Sequence, residues 1–427
     1  MSITMKKLFQ LFFIVFFILD KTIDILANCK ISIPSSLPSK YQPLYLYTEN
    51  VQGFIHPKSG SKEINIESDD VILLACPGKS FTDKKIKSSV RKITCLKNGQ
   101  FKFGDKNLKT LKDMKCSGYA QPTEKVYHNT ECGNCGVKKS IGFNIETQDG
   151  LYEYYPVINF CREKKILHTV YVHLKVLSQK KRYPSQLKVD FRQGSLFKKK
   201  NMKQIYEKKC VFRRINKILG KCKIVKKYIG KEEDATFSFE KGHLVAKADV
   251  IFSAHKYATF NYANAVPMWK TINRRNWVQL ENAIRQYADK IKRDLDVWTG
   301  SIGVLQLKDK DGILQNIYLR RDENFKNESV PVPKLLFKVV YDEKYQAGIV
   351  FVTINNPHIK IIEDEYIICK NICEKVSWIE DKKKDNFDKL FINGYTYCCE
   401  YSDFRKSFPY LPIDEIENIM VNDFFNI

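Results

Sequence analysis

The segment that decides how this chain is read begins Phe237-Ser238-Phe239-Glu240-Lys241-Gly242-His243-Leu244. It continues through Thr259-Phe260-Asn261-Tyr262-Ala263-Asn264-Ala265-Val266-Pro267-Met268-Trp269 and closes with Asn273-Arg274-Arg275-Asn276-Trp277, Leu280-Glu281 and Arg285. Trp277, Leu280, Ile284, Tyr287 and Ile291 recur at three- and four-residue steps, which predicts a helix with one apolar stripe turned to the core. Glu281 and Arg285, four apart, share a face of that helix, and Asn273 stands at or just before its start. One helix edge then offers an amide oxygen, a carboxylate and a guanidinium to a common cleft. An oxygen ligand suits Mg²⁺, a hard cation that keeps several of its waters. The same residues also read as a helix cap at Asn273 and a surface Glu281–Arg285 ion pair of about 0.3 kcal/mol. A lone histidine is more often structural than catalytic; His243 is set apart by the asparagines, the glutamate and the arginine that follow it.

Upstream lies a strongly basic stretch from Lys198 to Lys227, with thirteen cations and Glu207 as its one acid. A solvated surface is the plain account of such a run, but this density exceeds what solubility requires. Cations that neutralise phosphates release condensed counterions, so the stretch favours nucleic acid without specifying a sequence. The whole chain agrees: 427 residues, 72 Lys+Arg against 48 Asp+Glu, and a net charge of +24 point to polyanionic partners. With 44% hydrophobic residues the chain can bury a core and is no disordered polyelectrolyte. After the first thirty residues no apolar run approaches the ~20 residues that cross a bilayer, which excludes an integral membrane protein.

Strand-like runs flank the central segment: Thr169-Val170-Tyr171-Val172-His173-Leu174 before it, Phe337-Lys338-Val339-Val340-Tyr341 and Ile349-Val350-Phe351-Val352-Thr353-Ile354 after it. Strands and helices mix without βαβ regularity, so the fold class is α+β. Lys6-Lys7 followed by the apolar block Leu8–Leu19 reads as a signal peptide over residues 1–27. All thirteen cysteines lie beyond it, as disulfides of a secreted protein would, and the odd number leaves at least one free or paired between chains. Cys210 and Cys222 are expected to bridge each other, and the Cys132-x-x-Cys135 pair is assigned to disulfides rather than to zinc or redox chemistry. Asn327-Glu328-Ser329 is a glycosylation sequon. Residues 28–150, with turn clusters such as Pro77-Gly78 and Asn98-Gly99 between short apolar runs, read as a small β-rich, cysteine-containing module. His168, His173 and His255 are assigned structural roles, and core packing is the default for Phe191, Phe260 and Trp269.

The central segment resembles the DNA/RNA non-specific endonuclease family, the ββα-metal nucleases, and is most similar to its secreted insect branch found in saliva and gut. Gly242-His243 falls on the glycine and histidine of the family's Asp-Arg-Gly-His signature. Asn273 falls on the metal-binding asparagine, Glu281 on the family's glutamate, Arg285 on its helix arginine, and Asn261 and Asn264 on asparagines around the phosphate site. The resemblance implies a ββα-metal nuclease domain over residues 151–427, with an antiparallel sheet and flanking helices, preceded by the β-rich module. It implies His243 as general base, one Mg²⁺ (Mn²⁺ as substitute) on Asn273, Glu281 holding water, Arg285 and Lys241 at the phosphate, and products with 5′ phosphates. DNA and RNA, single or double stranded, are then partners without sequence preference, bound through Asn261, Asn264, Lys198, Lys199, Lys200, Arg213, Arg214, Lys226 and Lys227. No membrane or protein partner is implied.

The chain departs from the signature at Lys241, where the family has arginine, at Glu240 in place of Asp, and at Met268, where glutamine is usual. Lysine lacks the planar fork that grips two phosphate oxygens. Two functions therefore stand at this point: a secreted Mg²⁺-dependent nuclease of low turnover, and a high-affinity nucleic-acid binder on an impaired nuclease scaffold. A binder of acidic polysaccharides is a third, which leaves the spacing of His243, Asn273 and Glu281 unexplained.

Overall fold

The computed structural model describes residues 28–48, 53–83, 88–133, 136–146, 150–164, 166–182, 187–197, 201–230, 237–320, 329–380, 383–384, 387 and 389–421. The signal peptide, the sequon asparagine, Cys135 and the cations Lys198, Lys199 and Lys200 lie outside the described residues.

The chain is α+β around a nine-stranded sheet. Its path runs Thr396–Cys399, Ala347–Ile354, Pro333–Asp342, Leu295–Val304, Thr169–Val176, Tyr152–Glu163, Gly136–Glu146 and Thr123–Cys132, antiparallel throughout, with Asn418–Ile419 added parallel to Ala347–Ile354. Every residue of Ala347–Ile354 is buried, which is why that strand reads as an unbroken apolar run rather than an alternating one. Alternate residues feed two cores: Leu336 and Val340 face one, Leu335, Phe337 and Val339 the other. Thr123–Cys132 and Gly136–Glu146, which the sequence reading placed in the amino-terminal module, are hydrogen-bonded strands of this sheet. His173 stacks on Trp298 at 4.4 Å and bonds Asp296 at 2.8 Å.

The amino-terminal module has a five-stranded sheet, a two-stranded ribbon pairing Cys29–Ser32 with Glu63–Ile66, and a core of its own. Disulfides Cys29–Cys95 and Cys76–Cys116 staple it. Phe252, which belongs to the larger fold by sequence, is buried in that small core against Tyr45, ring centroids 5.3 Å apart. Gln42 accepts the Ser253 N–H at 2.9 Å, and Ser59 donates to Asp294 at 2.9 Å, so polar contacts join the two units as well. Three more disulfides, Cys132–Cys161, Cys369–Cys399 and Cys373–Cys398, brace the large sheet and the carboxy-terminal segment.

The basic stretch forms helices Met202–Ile205, Lys208–Leu219 and Cys222–Ile229, which bury Val211, Ile215, Leu219, Val225 and Ile229 and leave most cations outside. Cys210 and Cys222 do not bridge each other; both are free. Cys210 lies in the first turn of one helix and Cys222 opens the next. The nine helical steps from Cys210 to Leu219 rise ~13 Å, well past the ~7 Å that a disulfide spans between Cα atoms.

Candidate active site

The central segment folds as two strands and a helix. Phe239–His243 pairs antiparallel with Ala265–Trp269, Gly242 opposite Val266 and His243 opposite Ala265. Gly242 is required by close approach: a Cβ there would meet the Met268 side chain at 2.7 Å. Met268, fully buried, occupies the space the glycine leaves and faces the core. The chain then turns through Lys270–Ile272 and one π-helical turn, Asn273–Trp277, into the helix Val278–Ile291. The apolar stripe expected there is buried in full.

That π-helical turn is docked on the histidine strand at two points. Asn273 Nδ2 donates to Glu240 at 2.8 Å, and the Trp277 indole donates to the His243 carbonyl at 3.3 Å. Glu240 is held in turn by Arg274 at 2.6 Å. With its N–H taken by Glu240, the Asn273 amide has a set orientation and its Oδ1 remains available, so the asparagine is not a simple helix cap. His243 sits between Phe191 and Phe260, centroids at 4.7 and 5.0 Å. The residue is half-buried, but its Nε2 is sealed from solvent and has no hydrogen-bond partner among the described residues. Burial first, then Lys247 and Lys241, push the imidazole down to about 4, against the pull of Asp249. It is therefore neutral, and a free base, at pH 7. Lys241, two residues earlier on the same strand face, places Nζ 5.4 Å from the Phe191 centroid.

Glu281 and Arg285 do not form the exposed pair that their spacing allows. Both are buried, and Arg285 binds Asp249 through Nη1 and Asn282 through Nη2, the latter at 2.6 Å. Burial pushes Glu281 up to about 7, with Lys338 and Arg285 opposing and Asp249 adding to the rise. Lys338 and Asp249 were missed in the sequence. Lys338, 1% exposed, rises from the middle of the sheet, donates to the Leu244 carbonyl at 3.2 Å and Thr299 Oγ1 at 2.9 Å, and lies 4.7 Å from the Trp277 centroid. Its one sequence signal is a lysine inside a β-branched run. Asp249 also accepts the Ala246 N–H at 3.0 Å and so ties the loop after His243 to the helix.

Asn261 and Asn264, expected around the phosphate site, hydrogen-bond within the fold. Both are fully buried. Asn264 accepts from the Val245 N–H and donates to the Val245 and Thr259 carbonyls, each at 2.9 Å. Asn261 caps the turn at Ala263 at 2.8 Å and donates to Glu124 at 2.6 Å. Asn264 thus has both amide N–H groups engaged within the fold, and Asn261 has one. Of the basic stretch, Arg213, Lys226 and Lys227 are exposed and Arg214 half-buried, and the helices reach the site through Tyr206 against Tyr262 at 5.8 Å. Trp269 is core, as its default predicted.

The donor set was tested against a metal. Among the described residues no group of three His, Cys, Asp or Glu side chains is placed to hold an ion, so a cage for zinc is lacking there. Mg²⁺ asks less: one or two protein oxygens, with water and phosphate completing the shell. The Asn273 amide, oriented by Glu240 with its Oδ1 unengaged, fits that demand.

Comparison with known proteins follows the same line. A model of the DNA/RNA non-specific endonuclease family matches residues 137–404. A salivary endonuclease of Lutzomyia longipalpis is 28% identical over 393 residues, covering 92% of this chain and 86% of that protein. Salivary protein Tsal1 of Glossina morsitans morsitans is 26% identical over 414 residues, covering 92% and 94% respectively. Among solved structures, a chain of the EndoG/EndoGI complex aligns with 62% of this chain and 89% of its own length, at 16% identity and a TM-score of 0.36.

Proposed function

Because the chain belongs to the DNA/RNA non-specific endonuclease family, we propose that it is a secreted, metal-dependent endonuclease acting on DNA and RNA of either strandedness without sequence preference. The observation that carries the reading is the docking of the π-helical turn on the histidine strand, which holds the half-buried His243 and the amide of Asn273 in one assembly. Salivary relatives and five disulfides support export.

In this mechanism neutral His243, with the sealed Nε2 carrying the ring proton, takes a proton through Nδ1 from water as that water attacks phosphorus. Phe191 and Phe260 fix the plane of the ring. Asn273 Oδ1 would hold Mg²⁺, its amide oriented by the bond from Nδ2 to Glu240. A bound Mg²⁺ would supply positive charge against the negative charge that develops on the phosphate. Glu281, ionised above about 7, orders water beside Asn273. Arg285 holds Asp249 and thereby the loop that follows His243. Lys241 meets the phosphate as a point charge. Sugar and base play no part, so DNA and RNA are equivalent at this site.

The test is plasmid nicking and gel-shift binding on one sample. Mg²⁺ supports nicking, EDTA abolishes it, and salt-sensitive binding survives EDTA. Nicking that is indifferent to EDTA would defeat the metal-dependent reading.

A second reading has its own observation: Lys241 rests on the Phe191 ring and offers no fork. On that reading the protein is a tight binder with little turnover. Lys241→Arg separates the two. A rate gain on the order of tenfold at unchanged affinity, the worth of one added charged hydrogen bond of ~1.5 kcal/mol, marks an assembled site that lacks a fork. No gain marks a scaffold kept for binding.

A further inference from the structure

A cleft of ≈ 800 Å³ opens between the amino-terminal module and the larger fold. The module contributes Lys40 and Lys112; the larger fold contributes Arg182, Lys247, Lys256 and Arg285. No Asp or Glu lines it among the described residues. A second groove of ≈ 780 Å³ continues from it, sharing Arg182, Asn282 and Arg285 and adding Lys180, Lys181, Lys290 and Lys292. Its one acid, Asp289, is already engaged by Arg182 at 2.7 Å, and Arg285 by Asp249. Lys40, Lys112, Lys247 and Lys256 form no ion pair among the described residues.

A concave wall of one sign with low-dielectric surroundings concentrates an anion. Among the described residues, the charge of Lys40, Lys112, Lys247 and Lys256 is offset by no acid lining the cleft. Burial, then Lys247 and Arg182, hold the Lys256 ammonium below its ordinary value, and no acid counters them. Lys247 also acts on His243. The cleft is thus continuous in field with the candidate catalytic base, and it shares Asn282 and Arg285 with the helix that carries Glu281.

We propose that the amino-terminal module is the second wall of the nucleic-acid groove, Lys40 and Lys112 closing on the phosphates of a strand whose scissile bond lies at His243. The proposal rests on the nucleic-acid reading above for its ligand class, not on turnover. The module is then a binding element, extending the footprint along the strand beyond the phosphate that reacts.

The experiment compares the full chain carrying Lys40→Glu and Lys112→Glu with one carrying Lys30→Glu and Lys92→Glu, exposed module lysines outside the cleft. Affinity for a short DNA duplex is followed against salt, without metal. Each lost phosphate contact lowers the log–log slope by about 0.9. The cleft pair should lower it by about 2 and weaken low-salt binding by on the order of tenfold or more; the control pair, with the same net charge change, should shift the slope by less than about 0.5. Amine-reactive footprinting of the wild-type chain is the second measurement, and DNA should protect Lys40 and Lys112. Equal slopes for both pairs, or unprotected Lys40 and Lys112, overturn the proposal. So does a cleft pair that loses heparin and keeps DNA, which would assign the surface to polysaccharide. A wild type that binds with the expected slope difference yet never nicks plasmid defeats the catalytic reading alone.

Discussion

His243→Ala is expected to lower Mg²⁺-dependent plasmid nicking by about 10³, within the range that a general base contributes, while leaving duplex affinity within about twofold of wild type, since binding is carried by phosphate contacts elsewhere. The argument is local. The imidazole is neutral at working pH because burial and Lys247 hold its value to about 4. Its Nε2 is spent on no protein group among the described residues, so truncation breaks no hydrogen bond from that nitrogen. The loss would amount to about 4 kcal/mol of transition-state stabilisation. Supercoiled-plasmid assays beside gel shifts on the same preparation read both quantities. Retained cleavage would remove His243 from the mechanism.

The second large effect is on stability. Lys338→Met should destabilise the fold by about 3–5 kcal/mol, the cost of leaving buried charge uncompensated. The amine satisfies the Leu244 carbonyl and Thr299 hydroxyl and opposes the rise of Glu281. Without it, Glu281 moves above its present value of about 7. A carboxyl whose folded value is raised contributes stability below its unfolded value and loses it as pH rises through the folded one. The variant should therefore lose more stability at pH 8 than at pH 5.5, and adding Glu281→Gln should recover part of the deficit. Urea unfolding at the two pH values measures this. A variant within about 0.5 kcal/mol of wild type at both would show that Lys338 holds up nothing.

Part of this was open to reading in one dimension. The helix Val278–Ile291 declared itself because a single stripe meets a single core, and periodicity is the direct image of that burial. The strands Pro333–Asp342 and Ala347–Ile354 were plain because both their faces are covered. Where partners come from afar, spacing misled. Arg285 had an acidic neighbour four positions away but took Asp249, 36 positions off, because the loop after His243 is folded against the helix. Asn261 and Asn264 have the residue type of a phosphate site, and nothing in their neighbours shows that the amides turn inward. Lys338 was averaged away inside an apolar run. The cationic cleft is assembled from lysines up to 216 positions apart, Lys40 to Lys256, and no window of sequence contains it.

Phe252 has a consequence for how this protein evolves and how it can be cut. A ring fully withdrawn from water contributes ~2–3 kcal/mol, and this one is lent by one folding unit to the interior of its neighbour. Neither piece is then a bead that can be restrung. A fragment beginning at the large sheet would carry a sticky aromatic on its surface, and the excised leader piece would carry a hole. In this chain, changes at residue 252 and at Tyr45 should travel together.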